Sequence, residues 1–176
     1  MHIILLAVQS LDGFITQHDL PGAGFASAED QAHFKQALRT CDCSVMGGET
    51  YRTSRDVIRS NLTAARLRIV ITRTPERHAA DGVPGALEFT AAAPAAVAAD
   101  LRGRGLRRCA LLGGGAINAA FVAGNLVDEL WLTIEPRLFG GGTPLLRGAV
   151  DARLTLRSCH PLNPDTLLLK YAFRRD

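Results

Sequence analysis

The chain has 176 residues, a length that fits one domain built around a single core. Lysine and arginine total 20 against 17 acidic residues, giving a formal net charge of +3, and these charges are scattered along the chain. Such scatter excludes a strongly basic nucleic-acid surface, so we expect no nucleic-acid partner. The four cysteines form no CxxC pair, so the sequence predicts neither a metal site nor a disulfide framework.

The N-terminal segment carries an apolar run that covers only residues 3–8. This run is too short to span a membrane, and no signal-peptide pattern accompanies it. We therefore expect a cytoplasmic protein with no membrane partner, whose chain begins with a β-strand.

Short apolar runs alternate with longer, alanine-rich segments along the chain. The runs predict strands over residues 3–8, 43–47, 67–72, 86–90, 109–113, 129–138, 153–159 and 166–173. Helices are predicted over residues 27–41, 93–105 and 116–126. Strands that alternate with helices predict a mainly parallel sheet, and the last two strands predict an antiparallel C-terminal edge.

Three glycines, Gly113, Gly114 and Gly115, stand where a predicted strand passes into a helix. They let the backbone approach a ligand closely, and a helix N-terminus offers free N–H groups and partial positive charge. This combination suits a phosphate. A turn that uses glycine only for tight packing is the alternative.

Two further predicted strands end in residues suited to phosphate. In "VMGGETY" (45–51), Thr50 can bind a phosphate or cap a following helix. In "VITRT" (70–74), Thr72 and Arg73 form a suitable pair for a phosphate monoester. Because ligands of α/β sheets gather at the carboxyl ends of strands, all three stretches can serve one extended nucleotide.

Four motifs together resemble the dihydrofolate-reductase-like superfamily, and within it the reductase domain of the bifunctional deaminase-reductase of riboflavin biosynthesis. They are "LAVQSLDGFI" (6–15), "VMGGETY", "LLGGGAIN" (111–118) and "LVDELWLTIEPRLFGGGTPLL" (126–146). The resemblance implies one α/β reductase domain over residues 1–176, with a three-layer fold, an eight-stranded sheet and helices on both faces. It also implies NADPH as hydride donor and a homodimer.

Carried over by position, the resemblance implies a row of cofactor contacts that runs from the nicotinamide to the adenosine. These are Val8, Ile15, Gly47, Gly48, Thr50, Gly113, Gly114, Gly115, Ala116 and Ile117. Dihydrofolate reductases carry at the position of Gly48 an arginine that grips the 2′-phosphate. Thr72 and Arg73 are the expected substitutes, and a preference for NADPH over NADH rests on them.

Asp30 falls where dihydrofolate reductases place the carboxylate that binds the pterin and assists its protonation, which makes it the catalytic candidate. Its position three residues after Ser27 also suits a helix cap. Arg39 aligns with an arginine that contacts the phosphorylated substrate of riboflavin-pathway reductases, or lies on a solvated helix end.

The other substrate contacts implied are Asp12, Phe25 and Thr133. Asp12 also suits a turn with the following glycine, and a β-branched residue such as Thr133 is ordinary on a strand. Phe25 belongs to a segment, 16–27, that we expect to close over the nicotinamide as a lid.

The resemblance thus implies an NADPH-dependent oxidoreductase that acts on a CH–NH or C=N group. The reading closest to the resemblance is a riboflavin-pathway reductase acting on a 5-amino-6-(5-phosphoribosylamino)uracil-like pyrimidine. Those enzymes have a Glu where this chain has Gly113, and they usually lack the acid at Asp30. A dihydrofolate or pterin reductase, and a non-catalytic nucleotide-binding protein, are therefore the alternatives.

Overall fold

Eight strands form one sheet in the computed structural model, which describes residues 1–175. They are β1 (His2–Ser10), β2 (Cys43–Gly47), β3 (Leu67–Ile71), β4 (Leu87–Thr90), β5 (Arg108–Leu111), β6 (Glu129–Glu135), β7 (Leu154–Pro161) and β8 (Leu167–Phe173). The strand order is β4-β3-β2-β5-β1-β6-β8-β7. All pairs among β1 to β6 are parallel, whereas β8 runs antiparallel to β6 and to β7. The predicted sheet and its antiparallel C-terminal edge are confirmed.

Helices cover both faces of this sheet, as predicted. Across residues 1–175 they are α1 (Ala28–Arg39), α2 (Gly48–Ser60), a 3₁₀-helix (Pro75–Asp81), α3 (Pro94–Gly103) and α4 (Gly115–Ala123). Alternate side chains of the strands supply the two faces, because successive Cβ atoms of a strand point to opposite sides. On β1, Leu6 packs with Ala37 of α1, whereas Leu5 packs in the cluster that holds Leu101 of α3 and Phe121 of α4.

Helix α2 was not bounded by the sequence prediction. Its sequence is mostly polar and only Tyr51 is fully buried, so the apolar periodicity that marks a helix is weak. The helix begins at Gly48 with Gly47 as its N-cap residue, which places Thr50 in the first turn and not at the cap.

Strand β1 is paired over different lengths on its two sides. Its register with β5 ends where Leu5 meets Leu111, but its register with β6 continues until Ser10 meets Glu135. Beyond Leu5, the β5 side of β1 therefore has no strand partner. The sheet opens at this point, near its carboxyl ends.

Strand β7 lies at the C-terminal edge of the sheet and pairs only with β8 among the strands of residues 1–175. The homodimer expected through these strands stays a prediction. In the same part of the chain, no helix is both long and apolar enough to cross a bilayer.

Replacing Phe121 by Ala tests the core between the sheet and the helices α3 and α4. Its side chain is 0% exposed, so the smaller residue leaves a cavity. We expect the free energy of unfolding to fall by about 3 to 5 kcal/mol in urea denaturation. The control Leu156→Ala, at a side chain that is 52% exposed on β7, should change it by less than about 0.5 kcal/mol. Equal losses for the two variants would contradict this assignment of the core.

Candidate functional site

A cleft of about 1970 Å³ opens at the carboxyl ends of the parallel strands, where the sheet divides beside β1. A smaller depression of about 480 Å³ lies at the opposite ends of the strands, near Asp42 and Arg107. The large cleft brings together most of the predicted site residues, and it is the candidate site. Those that line it are Val8, Ile15, Asp30, Arg39, Gly47, Gly48, Thr50, Thr72, Arg73, Gly114, Gly115, Ala116, Ile117 and Thr133.

Asp12 is not among the residues that line the cleft. Its carboxylate accepts hydrogen bonds from the Ser10 hydroxyl at 2.5 Å and from the backbone N–H groups of Phe139 at 3.0 Å and Gly140 at 2.6 Å. These hydrogen bonds, that of Ser10 foremost, hold the pKa of Asp12 below its usual range. Asp12 therefore joins two loops, which agrees with the turn-shaping role, and its contact with a substrate stays a prediction.

Phe25 also lies outside the cleft lining. It is buried and packs edge-to-face against Phe139, with 4.9 Å between ring centroids. The start of the segment 16–27 is also held in place, because the Thr16 hydroxyl accepts a hydrogen bond from the N–H of Thr143 at 2.8 Å. In this conformation Phe25 anchors the segment to the neighbouring loop, and the expected contact of its ring with a substrate stays a prediction.

The three glycines serve different purposes. Gly113 has φ +83°, a conformation that side chains rarely adopt, and its carbonyl accepts from the N–H of Gly47 at 2.7 Å. A Cβ at Gly115 would lie 2.5 Å from the carbonyl oxygen of Pro144, so only glycine fits. A Cβ at Gly114 would meet only the Thr50 hydroxyl, at 3.6 Å. Gly113 and Gly115 therefore shape the turn, and Gly114 leaves open space in the cleft.

Two helices begin at the cleft without a capping side chain. The N-cap residues of α2 and α4 are Gly47 and Gly114, and neither helix has a side chain that accepts from its first turn. By contrast, the Ser27 hydroxyl caps α1. The first N–H groups of a helix have no partner within the helix, so both starts present donors and partial positive charge to the cleft. This arrangement fits the pyrophosphate of a dinucleotide such as NADPH.

The side chains around the cleft carry an excess of positive charge. Among residues 1–175, the cationic ones are Lys35, Arg39, Arg52, Arg66, Arg68, Arg73 and Arg147, against the acidic Asp19, Asp30 and Glu49. Arg52 pairs with Glu49, and Arg68 donates to the carbonyl oxygen of Asn61 at 2.6 Å. The remaining excess raises the local concentration of anionic ligands and favours phosphate groups.

Ser27 caps the N-terminus of α1, and Glu135 in turn binds Ser27. The Ser27 hydroxyl accepts from the N–H of Asp30 at 3.2 Å, so Ser27 is the cap that the sequence predicts. In a reciprocal capping box the Asp30 carboxylate would accept from the N–H of Ser27. That N–H instead donates to Glu135 at 2.8 Å, and the Ser27 hydroxyl also donates to Glu135 at 2.8 Å. The carboxylate of Asp30 is therefore not needed for the cap.

Asp30 is buried in the wall of the cleft, beside Thr133 of β6. Burial raises the pKa of this carboxyl group, the nearby Thr133 hydroxyl opposes the rise, and the charge of Glu135 adds to it. Glu135 is itself buried and accepts a further hydrogen bond from the Thr166 hydroxyl at 3.0 Å. Burial of Asp30 in this wall thus favours the protonated form of its carboxyl group.

The backbone groups at the divided edge of the sheet are only partly available. Val8 pairs in register with Thr133 on one side and has no β5 partner on the other. The N–H of Ile15 donates to the carbonyl oxygen of Thr143 at 2.8 Å, so its carbonyl oxygen is the group left for a ligand.

Some residues of the site were missed by the sequence prediction. Glu135 lies two positions after Thr133 on the same face of β6, and this strand periodicity was an available signal. Asn118 of α4 donates to the carbonyl oxygen of Leu145 at 3.0 Å and ties the helix to the loop that holds Arg147. No simple pattern marks this contact, because it joins distant segments. For residues 1–175, no group of three or more potential metal ligands is found.

Replacing Asp30 by Asn should stabilise the fold near pH 7. Because the pKa of Asp30 is raised in the folded state, this group stabilises the fold at pH values below its unfolded-state pKa. That contribution is lost as the pH rises through the folded-state pKa. The Asn variant lacks this loss, so its free energy of unfolding, measured by urea denaturation, should exceed that of the wild type by an amount that grows from about pH 4 to pH 7. Asp12→Asn is the matched control, with opposite sign, because the lowered pKa of Asp12 stabilises the fold above the unfolded-state value. A destabilised Asp30→Asn variant would instead assign the carboxylate a structural role.

Comparison with known proteins places this architecture in a family. The family model described as "RibD C-terminal domain" matches residues 1–168. A search of the curated proteins finds no match.

Three solved structures share the fold. A protein named for riboflavin biosynthesis from Shewanella sp. PV-4 has a TM-score of 0.73 and 21% identity, over 99% of this chain and 100% of that chain. A pyrimidine reductase-like protein from Corynebacterium diphtheriae has a TM-score of 0.76 and 18% identity, over 99% and 92%. The diaminohydroxyphosphoribosylaminopyrimidine deaminase/5-amino-6-(5-phosphoribosylamino)uracil reductase from Thermotoga maritima has a TM-score of 0.79 and 12% identity, over 98% and 56%. The chain belongs to the RibD C-terminal domain family.

Proposed function

We propose that the chain is an NADPH-dependent reductase that acts on a 5-amino-6-(5-phosphoribosylamino)uracil-like pyrimidine. Family membership and fold support a riboflavin-pathway reductase in general. The observation that carries the proposal is the pair of uncapped helix starts, at Gly47 and Gly114, which open into one cationic cleft beside the divided sheet.

The residues of the cleft suggest how a dinucleotide lies in it. The N–H groups at the starts of α2 and α4 would hold the pyrophosphate. From there the adenosine would extend along the strand order toward Thr72 and Arg73, and the nicotinamide toward Val8 and Ile15. This direction puts the hydride donor at the opening between β1 and β5, next to the wall that carries Asp30.

In this arrangement the protein contributes mainly orientation, exclusion of water and a proton. NADPH, when bound, supplies the hydride. The carboxyl group of Asp30, with its raised pKa and Thr133 beside it, would hold a proton near the substrate nitrogen. Lys35 and Arg39 of α1 line the same cleft and would attract the phosphate of the substrate.

A pterin or dihydrofolate reductase is the second candidate, and Asp30 favours it. The carboxylate is buried and is not used in the helix cap. A 2-amino-4-oxo ring offers adjacent N–H donors to such a carboxylate, whereas a 6-aminouracil has such a pair only at N1 and the 6-amino group, because its N3–H lies between two carbonyl oxygens. A protonated Asp30 suits either ring.

Replacing Arg73 by Ala tests the cofactor. Arg73 lines the cleft and forms no ion pair within residues 1–175, so a ribose 2′-phosphate would be its natural partner. We expect the Kd for NADPH to rise about tenfold and that for NADH to stay within about twofold, measured by quenching or enhancement of dinucleotide fluorescence. Arg77→Ala, an exposed arginine outside the cleft lining, is the control. Equal effects on both dinucleotides would remove Arg73 from the 2′-phosphate site.

Replacing Asp30 by Asn tests the proton donor. NADPH oxidation should be followed with the ribosylaminopyrimidine, dihydrofolate and dihydropterins as substrates. For the substrate that the wild-type chain reduces, we expect kcat to fall about 10² to 10⁴-fold while the Kd for NADPH is unchanged. Retained turnover would show that Asp30 is not the donor. Tight NADPH binding without oxidation of it on any of these substrates would favour the non-catalytic alternative.

A further inference from the structure

His78 stands at the adenosine end of the cleft and has no role in the function proposed above. It belongs to the 3₁₀-helix Pro75–Asp81, which follows β3 and precedes β4. Its side chain lines the same cleft as Thr72 and Arg73.

The imidazole ring of His78 is held by two aromatic neighbours. It stacks on Phe89 of β4, with centroids 5.0 Å apart and planes 9° apart, and it meets the ring of Tyr51 edge-on at 5.8 Å. Neither ring nitrogen has a hydrogen-bond partner among residues 1–175, and neither is a fully buried polar atom. The ring is therefore fixed by packing while its polar atoms stay free for a ligand.

The element that carries His78 is itself fastened to α2. Asp81 accepts from the Tyr51 hydroxyl at 2.8 Å, from Nε of Arg55 at 2.8 Å and from Arg59 at 3.0 Å. These partners, Arg55 foremost, hold the pKa of Asp81 far below its usual range, so the carboxylate stays charged. Asp81 thus joins the 3₁₀-helix to α2 on the side where Tyr51 contacts His78.

The sheet register places Phe89, on which the His78 ring stacks, on the face of the sheet that leads to Thr72. Phe89 pairs with Val70, and Thr72 is the next residue of that segment on the same face as Val70. Thr72 also occupies the space beside Gly48, since a Cβ there would lie 3.2 Å from the Thr72 Cβ and hydroxyl oxygen. Position 48 therefore has little room for a longer side chain, and Thr72 with the segment that follows it can supply side-chain donors for an anion instead.

We propose that His78 completes, with Thr72 and Arg73, a site for the 2′-phosphate of the dinucleotide. The hydroxyl, the guanidinium and an imidazole N–H give three donors of different reach around one anion. Two of them follow β3 directly, and the third is locked against Phe89. This inference rests on the proposed function and adds to it the residue that selects a phosphorylated ribose over an unphosphorylated one.

The test uses His78→Phe, which keeps a stacked aromatic ring and removes both ring nitrogens. We expect the Kd for NADPH to rise about tenfold while the Kd for NADH stays within about twofold, by dinucleotide fluorescence. His78→Gln, which restores an N–H donor, should recover part of the preference for NADPH. His160→Gln, at an exposed histidine of β7, is the control and should change neither Kd.

The outcomes distinguish a failure of this inference from a failure of the proposed function. An unchanged NADPH-to-NADH ratio in His78→Phe would overturn the inference alone, because that variant lacks only the ring nitrogens. Failure of the wild-type chain to bind either dinucleotide would overturn the proposed function and the inference with it.

A second variant examines Asp81 as a positioning residue. Asp81→Asn weakens the contacts with Arg55 and Arg59, so His78 should lose its fixed orientation and the preference for NADPH should fall, with NADH binding retained. Asp56→Asn, at a side chain that is 97% exposed, is the control. Thermal unfolding of both variants reports any general loss of the fold. An Asp81→Asn variant that is folded and keeps the full preference for NADPH would contradict the positioning role.

Discussion

The unequal pairing of β1 is the constraint on which the rest of the site depends. Beyond Leu5 this strand keeps β6 and loses β5, because the chain leaves β5 at Leu111 and turns into α4. A strand edge left without a partner needs other groups for its backbone N–H and C=O. Because the chain turns at the end of β5, helix α4 begins at the gap, beside the start of α2. One interruption of the sheet thus creates the opening, its hydrogen-bonding edge and its positive wall.

Opposite the positive wall, two buried carboxyl groups differ in how their oxygens are satisfied. Glu135 accepts from the N–H and hydroxyl of Ser27 and from the hydroxyl of Thr166. The carboxyl group of Asp30 is buried near the Thr133 hydroxyl, and the negative charge of Glu135 raises its pKa further. Glu135 therefore both begins α1 and prepares Asp30 to hold a proton.

The sequence predicts the strands well because parallel strands buried on both faces read as continuous apolar runs, and all eight lie within a few residues of the predicted bounds. Helix α2 lacks that signal, since its contacts with the sheet depend largely on Tyr51. Most predicted cofactor residues share the cleft because strand ends converge there. Asp12 and Phe25 do not, because their partners, Phe139 and Gly140, come from a loop far along the chain, and no local pattern reveals such pairings.

Gly113, in the turn after β5, is a position at which this chain departs from the riboflavin-pathway reductases that it resembles. At φ +83°, with a Cβ there only 3.3 Å from the Asn118 amide, this position disfavours the Glu that riboflavin-pathway reductases carry. The difference therefore concerns the shape of the turn as well as a missing carboxylate. Asp30 supplies an acid from α1, on the opposite side of the gap in the sheet. A substrate held by Asp30 would be polarised from the side of β6. The ring edge that the substrate presents to Asp30, and not the turn after β5, would then decide which heterocycle the cleft accepts.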